Sequence, residues 1–170
     1  MNSIKHITSG ILLLFMQLLI SGYINIWPML YIAVFPLVLI LLPYKTNSTP
    51  SMCIAFVLGL LVDILSDGIL GLNAASAVAL AYFRPVIFRL FVNKNTLENL
   101  VEINHGALGL SQFISITALS YATFFIFYIT LDSWGYFSFI YTTIRFLINI
   151  VANTVIAFLL WKSLYTQIFR

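Results

Sequence analysis

Leu108–Thr130 reads LGLSQFISITALSYATFFIFYIT, a run of twenty-three residues without a charged side chain. It is too long for a strand and lacks the period-two alternation of a barrel strand. Away from water, such a segment satisfies its own backbone amides only as a helix. At 1.5 Å per residue it rises roughly 35 Å, enough to cross a hydrocarbon core of about 30 Å.

Five more apolar stretches flank it, near 7–21, 27–42, 52–65, 74–91 and 139–161. The 170 residues are 62% hydrophobic and 8% charged, with a mean hydropathy of +1.05. A water-soluble domain carries about 25% charged residues, so this chain cannot coat a solvent-facing surface. The expectation is a single all-α integral membrane domain, a six-span helical bundle with membrane lipid as its solvent. Lys5 and His6 followed by Ile11–Ile20 mimic a signal peptide. No A-x-A site follows, and a second apolar stretch begins at once, so an uncleaved first span is expected.

The basic residues orient the bundle. Seven of the eight, Lys5, Lys45, Arg84, Arg89, Lys94, Lys162 and Arg170, flank the N-terminus, the second and fourth connections and the C-terminus. The alternate connections carry none. Lys and Arg near short loops stay cytoplasmic, so both termini are expected in the cytoplasm. The formal charge of +3 expresses this asymmetry; no basic run exceeds two residues, and nucleic acid is not an expected partner. Within the polar stretch 92–105, Asn95 and Glu98 are spaced as an N-cap and its N3 partner, and Leu97, Leu100 and Val101 share one helical face. That predicts a short interfacial helix on the cytoplasmic surface.

Few residues could carry chemistry. Asp63 lies inside the apolar run Leu60–Leu65, where an ionised carboxylate needs a partner. Arg145 is the one basic residue that breaks the inside rule, lying toward the outer end of span six. Both are expected about two turns below the outer surface, on helices of opposite direction, so they are expected to pair. The pair reads either as a polar outer-half site or as an ion pair that fixes helix register, and the second reading is favoured. Small residues recur at four-residue spacing, as Ala55 and Gly59 in span three and as Ala75 with Ala79 and Ala77 with Ala81 in span four. That spacing suits close helix packing in lipid. Between them, Asp67–Asn73 is a glycine-bearing outer turn, with Asn73 expected to cap span four. Cys53, the single cysteine, reads as a passive small hydrophobe. The sequence has no phosphate-binding loop, zinc-protease motif, nucleophile elbow or C-x-x-C pair, and its histidines, His6 and His105, lie far from Asp63. Neither an enzyme nor a metal or cofactor site is expected.

The stretch from Gly59 to Ala74, GLLVDILSDGILGLNA, continuing to Ala81-Tyr82, resembles the rod shape-determining protein MreD family. Gly59, Asp63, Ser66, Leu70, Gly71, Ala81 and Tyr82 match a family pattern of G-x-x-x-D-x-x-S-x-x-x-L-G followed by a small-residue helix ending in A-Y. The motif covers about one seventh of the chain. Asp67 departs from it, standing where the family often has a small residue. The resemblance implies a non-enzymatic subunit of the bacterial elongation machinery in the inner membrane. It implies the bitopic protein MreC as partner, with RodA and a class B penicillin-binding protein in the same assembly and MreB indirectly linked. The fold implied is similar to that of the substrate-capture subunits of energy-coupling-factor transporters. A small-molecule-binding subunit of that type is the rival reading. For it the chain offers Asp63, Arg145, Asn149 and Gln17, a sparse set, and span one lacks the Ala-x-x-x-Ala ridge that such subunits use to dock.

Overall fold

The computed structural model describes residues 2–23, 29–44, 47–67, 69–93, 97, 108–133 and 138–168. Six α-helices are present among them: α1 (Asn2–Tyr23), α2 (Pro36–Leu41), α3 (Ser48–Val62), α4 (Leu72–Phe91), α5 (Leu110–Asp132) and α6 (Phe139–Ile168). A π-helical turn, Asp63–Asp67, continues α3. Four helical stretches are long and apolar enough to cross a membrane: Ser48–Ser66, Leu72–Phe91, Leu110–Asp132 and Phe139–Ser163. That is the make-up of a helical membrane protein. In α1 the apolar stretch is shorter, Gly10–Ser21.

The helices form an antiparallel bundle in which α4 packs against both α3 and α5, and α5 also packs against α6. The core is aromatic and aliphatic: Phe35, Phe88, Phe113, Tyr121, Phe124 and Phe125 are all fully buried. The outer faces are equally apolar. On α6, Val151, Val155 and Leu159 recur every four residues and stand exposed, as do Val57, Leu61 and Ile64 along α3 and its π turn. A face of this kind is unremarkable against lipid and would be a liability in water.

The second span departs from expectation. A helix over 27–42 is predicted by hydropathy, yet residues 31–34 are non-helical and only Pro36–Leu41 is helical. Pro36 sets the start of α2, since proline has no N–H to donate into a preceding turn and disfavours helix at the residue before it. The segment is not a lipid-facing loop. Ala33, Val34, Phe35, Leu37, Leu39 and Ile40 are all buried, so irregular backbone is tolerated here because protein surrounds it.

Two further expectations shift. Helix α4 begins at Leu72 rather than Ala74, with Gly71 as its N-cap at φ 94°, a left-handed conformation that glycine adopts without strain. The ridge of α4 that turns inward is Ala74, Ala77 and Ala81, all buried, whereas Ala75 is exposed and Ala79 half-buried. The expected Ala75–Ala79 packing pair therefore points away from the core, and only the Ala77–Ala81 pair packs inside. Cys53 lies exposed on the outer face of α3. The expected interfacial helix of 92–105 falls for most of its length outside the described residues, as do Lys45, Lys94 and Arg170; within it, Leu97 is buried.

Candidate functional site

The π turn, α4 and the non-helical strip meet at one end of the bundle, and Asp63 lies at their junction, fully buried. Its Oδ2 accepts hydrogen bonds from the backbone N–H of Gly71 at 2.9 Å and of Ala74 at 3.2 Å, and its Oδ1 accepts from Asn73 N–H at 2.9 Å. These are the orphan donors of the first turn of α4. Asp63 does from the preceding helix what an N-cap aspartate does locally, and its charge faces the positive end of the α4 dipole. The burial cost of the carboxylate is offset by the helix it caps. Asn73, expected as that cap, instead accepts a hydrogen bond on its side-chain oxygen from the Tyr31 hydroxyl at 3.2 Å.

Arg145 is not the partner of Asp63. Its Nη1 lies 2.6 Å from Asp132 Oδ2, so the pair closes the turn between α5 and α6. Equal depth was a necessary condition for the Asp63–Arg145 pair, but α4 lies nearer to Asp63 and presents it with three amides. Both carboxylates found their donors on the helix that follows next in the chain or at its N-cap.

Gly59 fixes how close the α3 and α4 backbones come. A Cβ at this position would sit 2.5 Å from Ala74 Cα and 2.7 Å from Ala74 N. That is inside any real contact distance, so only glycine fits. The close approach carries the end of α3 over the α4 N-terminus and brings Asp63 within reach of its amides. Ser66 donates its hydroxyl to the Val62 carbonyl at 2.7 Å, which satisfies an acceptor at the π turn. Gly59, Asp63, Ser66, Gly71 and Asn73 thus form a single unit. Ala75, Ala79 and Arg145 lie outside it.

The non-helical strip is held by side-chain amides. Tyr31 N–H donates to Asn149 Oδ1 and Asn149 Nδ2 donates to the Met29 carbonyl, each at 2.7 Å. One helical turn on, Ala33 N–H donates to Asn153 Oδ1 at 2.7 Å, and Asn153 Nδ2 donates to the Tyr31 carbonyl at 2.8 Å. Gln17 of α1 does the same from another side, accepting from Val34 N–H at 2.5 Å and donating to the Ile32 carbonyl at 3.1 Å. The Tyr121 hydroxyl donates to the Ala33 carbonyl at 2.9 Å. Each carboxamide imitates a peptide group of a neighbouring strand. The Asn spacing of four residues on α6 matches the two-residue step along the strip, roughly 6–7 Å in either case. At the far end of the same segment, the buried Arg84 guanidinium donates to the Leu42 carbonyl just past α2 and lies 5.0 Å from the Phe88 ring centroid.

A cavity of about 440 Å3 opens beside this junction, lined among others by Ser21, Tyr31, Ser66, Ile69, Tyr128 and Asp132. The Tyr31 and Tyr128 rings stack at 4.6 Å with 16° between their planes. Sequence reasoning singled out Asp63, Gly59, Gly71, Gln17 and Asn149. It missed Asn153, whose signal was its spacing from Asn149 in an otherwise apolar span, and it missed Tyr121 and Tyr128. No family model matches the chain, and neither a curated protein nor a solved structure gives a match to it.

Proposed function

We propose that the chain is a non-enzymatic scaffold of the bacterial cell-elongation machinery, of the MreD type, seated in the inner membrane. It crosses six times with both ends in the cytoplasm, and it holds the membrane helix of an MreC-like bitopic partner beside RodA and a class B penicillin-binding protein. The observation that carries this reading is the use made of the motif residues. Both oxygens of Asp63 are engaged by backbone amides, Gly59 is occupied by helix contact, and Gly71 supplies a left-handed cap. They hold two helices in a fixed relation, which suits a scaffold better than a reacting group. The discontinuous second span counts as one crossing because it runs the same way as α6, with Tyr31 beside Asn149 and Ala33 beside Asn153. Arg84, Arg89 and Lys162 then lie at the end opposite the cavity, the cytoplasmic end on the positive-inside rule.

Two measurements test this. A tagged chain purified from native membranes should bring down a bitopic partner, and its depletion should round rod-shaped cells. Retention of rod shape after depletion, with no such partner recovered, rules the scaffold out. For orientation, a single cysteine at 132 in a Cys53→Ser background should label from outside spheroplasts and one at 45 should not; the reverse pattern inverts the topology.

A further inference from the structure

The cavity beside the Asp63 junction has no part in the scaffold reading and does not depend on it. We propose that it is a binding site for a small uncharged ring compound that carries hydroxyl or N–H donors, taken up from the end of the bundle opposite Arg84, Arg89 and Lys162. Its volume, about 440 Å3, falls in the range of roughly 300–1,000 Å3 typical of small-molecule sites.

The wall chemistry selects the ligand. The Tyr31 and Tyr128 rings stack on each other and line the cavity, and the outer face of such a stack suits a flat ring or the apolar face of a sugar. Asp132 contributes a carboxylate with 24% of its side chain exposed, and only its Oδ2 is engaged by Arg145. Ser21 accepts a hydrogen bond from Gln17 at 2.9 Å, which leaves its own O–H to donate. An anion is disfavoured, because the described lining holds a carboxylate and no basic side chain. A cation gains little, because Arg145 at 2.6 Å already neutralises Asp132. Uncharged donors remain, paired with the second carboxylate oxygen and the hydroxyls.

The wall is also held in place before any ligand arrives. Tyr31 is fixed through its backbone by Asn149 and Asn153, through its hydroxyl by Asn73 and through its ring by Tyr128. Binding therefore spends little on ordering the site. Ile69 stands at its edge, 55% exposed, and is the position where added bulk fills the space without entering the core.

The test uses the purified full chain in lipid nanodiscs, titrated with adenosine and with glucose as the uncharged probes and with choline and inorganic phosphate as the charged ones. A saturable rise in melting temperature is expected with at least one uncharged probe and with neither charged one; the adenosine and glucose arms tell a heteroaromatic ring from a sugar. Ile69→Trp should weaken that binding about tenfold or more, and Ser21→Ala about two- to tenfold, the factor of one neutral hydrogen bond. The unliganded melting temperature of each variant reports folding separately. The proposal is overturned if neither uncharged probe gives a saturable response, if choline or phosphate does so instead, or if folded Ile69→Trp and Ser21→Ala both bind as the parent does.

Discussion

Replacing Asp63 by asparagine removes one acceptor and a charge from a site that water cannot reach. The carboxylate accepts three backbone hydrogen bonds, two on Oδ2 and one on Oδ1. An asparagine oriented to keep the Gly71 and Ala74 bonds turns its NH2 toward the Asn73 N–H, and that buried donor is left bare. One unsatisfied buried amide costs about 1–3 kcal/mol, and the two surviving bonds each lose about 1 kcal/mol as they pass from charge-assisted to neutral. The sum is about 3–5 kcal/mol. Arg145→Gln is a milder change. Its ion pair with Asp132 is 13% and 24% exposed on the two side chains, and pairs in contact with solvent are worth about 0–1 kcal/mol. The two sites share no partner, so the double variant should equal the sum of the singles within about 0.5 kcal/mol. Equilibrium unfolding in detergent micelles, with gel filtration of each variant to follow the folded fraction, measures all three. A loss below 1 kcal/mol in Asp63→Asn, or a double variant clearly milder than the sum, would refute the capping role and restore the Asp63–Arg145 pair.

Gly59→Ala should lower stability by about 3 kcal/mol or abolish folded yield, because its Cβ overlaps the Ala74 backbone and overpacking typically costs about 1–3 kcal/mol before backbone clash is added. Ala75→Val, on the exposed face of α4, should change it by less than about 0.5 kcal/mol. Asn153→Ala strips Ala33 N–H and the Tyr31 carbonyl of a partner together, so a loss of about 2–5 kcal/mol is expected, with Asn153→Asp little better because the carboxylate cannot donate to the carbonyl. Tyr121→Phe removes a single bond to the Ala33 carbonyl and should cost about 1 kcal/mol. The same unfolding assay reads each of these, and equal losses in Asn153→Ala and Tyr121→Phe would contradict the clamp.

How much of this was legible in the sequence depended on which physical quantity each feature rests on. Helices α3 to α6 came from hydropathy and length, which depend only on composition in a window. The boundary at Leu72 did not, because it is set by a carboxylate outside the helix. Asp63 stood out because a buried charge is rare in an apolar run, but its partner could not be read off, since backbone amides are present at every position and carry no residue signature. Matched depth pointed to Arg145 for want of any visible competitor. The strip at 31–34 was hidden for a related reason: an apolar span held extended by its neighbours has the same composition as a helical one. Pro36 marked its edge, and Gln17, Asn149 and Asn153 carried the amides, but the Asn149 and Asn153 pairings join residues more than a hundred positions apart. The cavity is a property of packing and left no trace in the order of residues beyond two tyrosines and two serines of ordinary type.

The amide-held strip also dictates when the protein can be finished. Its partners on α6 lie 118 to 122 residues further along the chain, which at about 5–20 residues per second is a delay of roughly 6–24 s during synthesis. Through that interval an extended strip in hydrocarbon would leave its amides bare, at several kcal/mol for each group. The same apolar residues coiled into a helix satisfy themselves. Gln17, made earlier, serves Val34 N–H and the Ile32 carbonyl alone, so the segment should stay coiled until Asn149 and Asn153 arrive to replace the remaining bonds. Helix α6 thus completes the strip, and a nascent chain stopped short of residue 149 should keep residues 31–34 in a provisional, coiled form.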